Sequence, residues 1–207
     1  MTYMKNTIIL LFTLQLLSSC SHKEPKEITV AIQPFDNITS HTCHELKSNI
    51  ESYYGFNVVI LPNINIPKAF FTKVKSPRYR ADSTIKYLKR AKPDSIDYIL
   101  GITSKDISTS KRNSWGLIKK PEYKYKDWGI FGLGYRPGPS CIISPFRLGK
   151  GEHLKTRMQK VALHELGHNL SLKHCPNKDC FMRDAAEKIT TIDQVKIDLC
   201  PQCKSKI

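Results

Sequence analysis

Short apolar runs divide much of the chain into predicted strands. Residues 28–35 (ITVAIQPF) alternate apolar and polar positions and are rich in β-branched side chains, which predicts a strand. Residues 58–61 (VVIL) predict a second strand, and residues 96–102 (IDYILGI) predict a third that is apolar enough to lie in the centre of a sheet. Two further strands are predicted at residues 129–133 and 141–144, joined by the turn-rich sequence RPGPS.

Helical periodicity predicts three helices, which lie between these strands and after them. One helix is predicted over residues 40–54, capped by Ser40 and ended by Gly55. A second covers residues 80–90, and a third runs from about residue 156 to residue 170, with the T-x-x-Q spacing of a capping box at its start. This order of elements favours an α/β fold in which a mixed β-sheet is layered with helices.

The third predicted helix carries two histidines four residues apart, His164 and His168. Its leucines form a separate stripe that faces the core, so both imidazoles point elsewhere and can reach one ion from adjacent turns. Glu165 follows the first histidine directly, which places its carboxylate beside the ion rather than on it. This is the H-E-x-x-H arrangement of zinc hydrolases; the structural alternative is a helix with two solvent-facing histidines.

A third histidine, His174, lies six residues beyond His168. For it to reach the same ion, the chain must turn back at position 171 with a positive φ, which costs Ser171 about 1 kcal/mol relative to glycine. Zinc held by three neutral histidines keeps a fourth position for a water molecule, whose pKa it lowers towards about 7. Glu165 would accept the proton from that water and pass it to the departing amine. These parts suit the hydrolysis of an amide bond.

Four cysteines near the C-terminus form two close pairs with the spacing of zinc ligands. They are Cys175, Cys180, Cys200 and Cys203. A closed, structural zinc site of four thiolates is predicted, and two disulfides are the alternative if the chain is exported to an oxidising compartment. Cys43 and Cys141 could form a disulfide or remain buried thiols.

The region from His164 to Cys203 resembles the archaemetzincins, zinc peptidases of the metzincin clan. Their pattern is H-E-x-x-H-x-x-G-x-x-H-C-x4-C-x-M-x17-C-x-x-C, and every position agrees except the glycine, which is Ser171 here. The resemblance covers roughly residue 28 to the end, with specific motifs only from His164 onward. It implies a metzincin-like fold with a twisted mixed β-sheet, a long zinc-binding active-site helix and a small C-terminal subdomain stabilised by zinc.

The resemblance also implies roles for individual residues. It assigns the catalytic zinc to His164, His168 and His174, the general base to Glu165, and a second zinc to the four cysteines. Met182 would be the Met-turn residue, a hydrophobic floor beneath the catalytic zinc. By analogy, an edge strand near residues 141–144 would hold the substrate in extended form. Arg183 and Asp184 stand where some metzincins carry a tyrosine that assists the reaction.

The N-terminus predicts export. Lys5 precedes an apolar run at residues 8–17 (IILLFTLQLL), which is too short to span a bilayer comfortably, and LSSC then looks like a bacterial lipobox. We expect a lipoprotein signal peptide at residues 1–19, acylation of Cys20, a tether at residues 20–27 and an archaemetzincin-like peptidase domain at residues 28–207. The alternative is an ordinary cleaved signal, or a short anchor with a chance cysteine.

The formal charge of +15 lies largely in two tracts, residues 68–92 and 105–126. Aromatic residues interrupt the second tract, a combination that can bind nucleic acid or anionic lipid, or be simply solvated. No recognised nucleic-acid-binding motif accompanies the charge, which argues against a nucleic-acid partner.

These observations together predict a lipid-anchored zinc metallopeptidase on the outer side of a bacterial membrane, facing the periplasm or the exterior. We expect a monomer with two zinc ions, one catalytic and one structural, that cleaves peptide or protein substrates. The alternative is a non-catalytic zinc-binding lipoprotein that binds peptides or proteins. The intact Glu165 argues against this alternative, because metal binding alone does not require it.

Overall fold

The computed structural model describes residues 27–186 and 188–207. The predicted signal peptide, Cys20 and all of the predicted tether except Glu27 lie outside the described residues. No helix in the described part is both long and apolar enough to cross a bilayer.

The described residues form two β-sheets and a set of helices. The strands are β1 (Thr29–Phe35), β2 (Asn57–Ile60), β3 (Phe71–Thr72), β4 (Arg78–Arg80), β5 (Tyr98–Thr103), β6 (Ile107–Thr109), β7 (Trp128–Ile130), β8 (Gly132–Gly134) and β9 (Ser140–Ile143). The helices are α1 (Ser40–Tyr54), α2 (Ala81–Ala91), α3 (Glu122–Tyr125), α4 (His153–Asn169), α5 (Ile189–Gln194) and α6 (Pro201–Lys204), and short 3-10 turns cover Lys68–Phe70 and Pro145–Arg147.

The larger sheet has the order β2-β1-β5-β9-β8. Neighbouring strands are parallel except β8, which runs antiparallel to β9. The prediction that the third apolar run is central is confirmed, because β5 lies in the middle of this order. The mixed sheet layered with helices was also predicted correctly.

A second sheet, with the order β3-β4-β6-β7, was not predicted. Its strands are two or three residues long, too short for apolar alternation to be visible in the sequence. The segment predicted as one strand at residues 129–133 divides between the sheets, since β7 pairs with β6 and β8 pairs with β9. The chain crosses from one sheet to the other at the buried residue Phe131.

The first helix agrees closely with its prediction. It spans Ser40–Tyr54 and ends at Gly55 with a left-handed φ of 69°. Its N-cap is Thr39 rather than Ser40, because the Thr39 side chain accepts a hydrogen bond from the backbone N–H of Thr42 at 3.2 Å.

Helix α4 begins three residues earlier than predicted. The prediction of a T-x-x-Q capping box at its start is wrong, because Glu152 is the N-cap and its side chain makes no capping hydrogen bond. The chain enters α4 from Gly151, which has a left-handed φ of 84° and accepts a hydrogen bond from the N–H of Leu154 at 3.2 Å. The predicted apolar stripe packs against the larger sheet, with Leu163 and Leu166 fully buried in the main core.

Two arginines join the smaller sheet to the segment before α4. The buried Asp106 carboxylate accepts hydrogen bonds from Arg78 Nε at 2.9 Å and from Arg147 Nε at 2.6 Å. Gly129 leaves room for this contact, since a Cβ there would lie 2.3 Å from Arg147 Cζ. Both arginines therefore stabilise the fold through the buried Asp106 carboxylate.

Candidate metal centre

Residues of β8 and α4 line an open cleft of about 420 Å³. Its lining includes the four residues that the motif singled out: His164, Glu165, His168 and His174. The first three project from α4, and His174 comes from the segment that follows the helix. The sequence prediction that these residues meet is therefore confirmed.

The three imidazoles converge on one point. The centroids of the His164 and His168 rings are 4.6 Å apart, and the centroid of His174 lies 5.3 Å and 4.9 Å from them. His168 Nε2 and His174 Nε2 are 3.2 Å apart, and each residue offers one ring nitrogen within 4.8 Å of the other two. Three imidazole nitrogens at this spacing form a donor set that fits zinc.

Backbone carbonyls fix the orientation of two rings. His164 Nδ1 lies 2.7 Å from the carbonyl oxygen of Phe181, and His168 Nδ1 lies 2.8 Å from that of Leu172. Because a carbonyl only accepts, each Nδ1 carries the proton and each Nε2 keeps its lone pair for a metal. Burial lowers the pKa of His164 to about 3 and that of His168 to about 4, so both rings are neutral.

The third histidine arrives through a chain reversal at Ser171. Its φ is 77°, as predicted for this position. The N–H of Ser171 donates to the carbonyl of His168 and the N–H of Leu172 donates to that of Gly167, both at 2.9 Å, which is the Schellman pattern of a helix C-terminus. The turn thus forms with serine where the family pattern has glycine.

Ser171→Gly is expected to stabilise the protein by about 1 kcal/mol, because glycine adopts a left-handed φ without strain. For a chain of this size, that raises the midpoint of thermal unfolding by about 2–4 °C. Ser205→Gly is the matched control, since Ser205 has a φ of −69° and gains nothing from glycine. A Ser171→Gly protein that unfolds at or below the wild-type midpoint would show that the serine is unstrained.

Glu165 is buried beneath the edge of the larger sheet, with 7% of its surface exposed. Burial raises the pKa of its carboxyl to about 8, so a nearby positive charge is needed to favour the carboxylate at neutral pH. Two glycines of β8 make room for it: a Cβ on Gly132 would lie 2.6 Å from Glu165 Oε1, and one on Gly134 would lie 2.9 Å from its backbone oxygen. The G-L-G spacing, which puts both glycines on one strand face, is the signal that sequence reasoning missed.

Met182 is fully buried against the helix that carries the histidines. A Cβ on Gly167 would lie 2.5 Å from Met182 Sδ, so this glycine within the H-E-x-x-H motif admits the methionine. The carbonyl of Met182 accepts a hydrogen bond from the N–H of Cys175 at 2.8 Å, which links the methionine segment to the cysteine cluster.

The prediction of an edge strand at residues 141–144 is wrong. This segment forms β9, which is enclosed between β5 and β8. The RPGPS turn returns the chain so that β9 inserts beside β5, which leaves β8 at the edge. Gly132, Leu133 and Gly134 of β8 line the cleft, so β8 is the strand available to an extended ligand.

The four C-terminal cysteines form a second cluster. Their sulfur atoms all lie within 4.8 Å of one another, and Cys175 Sγ is 3.6 Å from Cys200 Sγ. A zinc bound to four thiolates at about 2.3 Å has sulfur–sulfur edges of about 3.8 Å, whereas a disulfide bond measures about 2.05 Å. All six cysteines of the described residues are free thiols, including Cys43 and Cys141, which are buried. The arrangement favours the zinc interpretation over the disulfide alternative.

Comparison with known proteins identifies the family. The model of peptidase family M54 matches residues 26–207. An archaemetzincin from Halobacterium salinarum is 28% identical over 189 residues, covering 86% of this chain and 98% of the relative. One from Archaeoglobus fulgidus is 29% identical over 180 residues, with the same coverage. The crystal structure of the A. fulgidus protein superimposes with a TM-score of 0.69 and 27% identity, covering 87% of this chain and 100% of that chain.

The fold, the three converging histidines and the buried glutamate define a zinc-dependent metallopeptidase. The chain belongs to peptidase family M54, and the relatives and the solved structure described above are archaemetzincins. The resemblance found in the sequence is therefore confirmed, and the alternative of a non-catalytic zinc-binding protein is not favoured.

Proposed function

We propose that this peptidase binds its catalytic zinc through His164, His168 and His174, with Glu165 as the general base. The observation that supports this most directly is the convergence of three histidines beside a buried glutamate, with the Nδ1 atoms of His164 and His168 fixed by carbonyls. Zinc bound there would polarise the scissile carbonyl and lower the pKa of the attacking water.

The residues of the chain then divide the work of peptide hydrolysis. The Glu165 carboxylate accepts a proton from the attacking water and donates it to the nitrogen of the departing amine. The free edge of β8 aligns the substrate by backbone hydrogen bonds, since within the described residues this strand pairs with β9 alone. Met182 acts as the Met-turn residue that supports the histidines from below, consistent with its contact at Gly167.

The cleft also favours acidic substrates. Lys111, Arg136 and Arg183 line it, while Glu165 and Asp184 are the carboxylates among its described lining residues. Positively charged walls attract negatively charged peptides. The A. fulgidus archaemetzincin was crystallised in complex with malonate, a dicarboxylate.

A second, structural zinc bound by Cys175, Cys180, Cys200 and Cys203 completes the proposal. These residues tie the segment after α4 to the C-terminal helix α6, and so hold the chain that carries His174 and Met182. Every ligand of both sites comes from one chain, which supports a functional monomer.

Metal analysis of the purified protein tests this proposal. We expect two zinc ions per chain, and cleavage of a quenched peptide library that stops with a chelator and returns with added zinc. A zinc-free protein that cleaves nothing after zinc is supplied would contradict the catalytic proposal. A single zinc with the four cysteines oxidised to disulfides would contradict only the structural site.

We also propose that the mature protein is a lipoprotein anchored to a bacterial membrane through Cys20, with the peptidase domain facing the periplasm or the exterior. The apolar run that ends in LSSC supports this, and these residues lie outside the described part. Mass spectrometry of the protein from cell membranes should find acyl chains on an N-terminal Cys20. An unmodified Cys20 within a longer, uncleaved chain would contradict the anchor.

A further inference from the structure

The segment between β6 and β7, which we call the basic hairpin (residues 110–126), flanks the active-site cleft. Its base reaches the cleft through Lys111. Arg112 forms an antiparallel bridge with Ile118, and Gly116 closes the turn with a φ of 76°. The Asn113 side chain accepts hydrogen bonds from the N–H groups of Trp115 and Leu117 at 3.1 and 3.0 Å. The tip is therefore an ordered turn.

The tip of the basic hairpin exposes large apolar side chains. Trp115 is 82% exposed and Leu117 is 65% exposed, and Tyr123 on the returning arm is 76% exposed. Trp128, at the base, instead stacks on Tyr125 and lies under the Lys111 ammonium. An exposed tryptophan and leucine at the end of a hydrogen-bonded turn contribute little to folding, and such a patch is typical of a binding surface.

Positive charge surrounds this apolar tip. Five cations of the basic hairpin are exposed: Arg112, Lys119, Lys120, Lys124 and Lys126. The exposed acid in the same segment is Glu122, which lies 3.6 Å from Lys126. The surface therefore combines apolar side chains at its tip with a net positive charge behind them.

We propose that the basic hairpin docks on an anionic lipid surface, with Trp115 and Leu117 entering the interfacial region and the lysines facing the lipid phosphates. Tryptophan favours the membrane–water interface, and cations near an anionic leaflet add to the attraction. The combination of an apolar tip and a cationic surround is that of interfacial anchors.

A nucleic acid fits this surface less well. Phosphates would bind the lysines and a base would stack on Trp115, but Leu117 has no ring to stack and its apolar surface would remain in water. Both tip residues gain free energy by leaving water for lipid. Docking would also bring the cleft close to the membrane, because Lys111 belongs to both the hairpin and the cleft lining. This inference does not depend on the acylation of Cys20 or on the peptidase proposal.

Vesicle binding by residues 21–207, which lack the lipid attachment site, tests the proposal. This part should fold alone, because the described residues match the whole of a solved relative. With vesicles of phosphatidylcholine containing about 30 mol% phosphatidylglycerol, we expect binding at least about tenfold tighter than with phosphatidylcholine alone. In the Trp128→Phe variant, Trp115 is the one remaining tryptophan, and its emission should shift to shorter wavelength on binding.

Variants separate the two contributions. Trp115→Ser combined with Leu117→Ser should weaken vesicle binding by about tenfold or more. Lys119→Gln combined with Lys120→Gln should weaken it by about fivefold per charge and reduce its sensitivity to salt. Ile207→Ser is the matched control, because Ile207 is a 51% exposed apolar residue outside the hairpin, and it should bind as the wild type does. Unchanged thermal unfolding of each variant shows that the fold is intact.

Three results would overturn the proposal. They are binding that does not depend on phosphatidylglycerol, a Trp115/Leu117 double variant that binds vesicles as the wild type does, and a Trp115 emission that does not move. Tighter binding to single-stranded DNA than to anionic vesicles, lost in the tip variant, would assign the surface to nucleic acid instead.

Discussion

Glu165→Gln is expected to lower kcat about a thousandfold, which lies within the range that general acid–base catalysis contributes. The amide has the shape of the carboxylate and still fits beneath Gly132, but it cannot accept the proton of the attacking water. The variant should retain its zinc, because the proposed metal ligands are the three histidines. Steady-state cleavage of a quenched peptide, together with the zinc content of the same preparation, measures both quantities.

The control for this variant is Glu152→Gln, at the N-cap of the same helix. The Glu152 side chain is 88% exposed at the start of α4 and makes no capping hydrogen bond there. The kcat of the Glu152→Gln variant should therefore equal that of the wild type. If Glu165→Gln cleaves the peptide as fast as the wild type with zinc bound, Glu165 is not the general base. Loss of zinc together with activity would instead give the glutamate a structural role in the metal site.

Cys180→Ser is expected to remove the structural zinc and to destabilise the protein by at least about 3 kcal/mol, because zinc binding in such sites contributes directly to the free energy of folding. Cys180 is 1% exposed, and its sulfur also accepts the N–H of Cys200 at 3.4 Å. The segment it ties down carries His174 and Met182, so activity should fall with stability. Zinc content and the midpoint of thermal unfolding measure the effect.

Cys43→Ala provides the matched control, since Cys43 is a buried free thiol outside the cluster. It should keep both zinc ions and lose only the stability expected from a small change of volume in the core. A Cys180→Ser protein that still holds two zinc ions and unfolds like the Cys43→Ala protein would refute the four-cysteine site.

Most of the correct predictions depend on patterns among residues that are close together in the sequence. The α1 helix and its Gly55 end follow from periodicity and a single left-handed residue, and the two helix histidines follow from four-residue spacing. The positive φ at Ser171 was predictable because one turn separates His168 from His174, and this leaves the backbone few ways to return.

Predictions failed where distant segments decide the structure. The smaller sheet is built from strands of two or three residues, and the pairings of β4 with β6 and of β6 with β7 join segments about twenty or more residues apart, so no local pattern reveals it. The predicted edge strand, β9, lies inside the sheet, because it pairs with β5 on one side and with β8 on the other. This strand order depends on long-range packing and register. Gly132 and Gly167 were overlooked as site residues because their importance lies in the neighbours that a Cβ would meet.

The amino-acid sequence alone determined the chemistry: the donor atoms, their spacing along one helix and the glutamate beside them, because ligand identity and helical period are local properties. Tertiary structure decided how that chemistry is enclosed. It buried Glu165 under a glycine edge strand, oriented the His164 imidazole with the carbonyl of Phe181, and brought together four sulfur atoms from Cys175 to Cys203. Those features require contacts between residues that are neighbours only after folding.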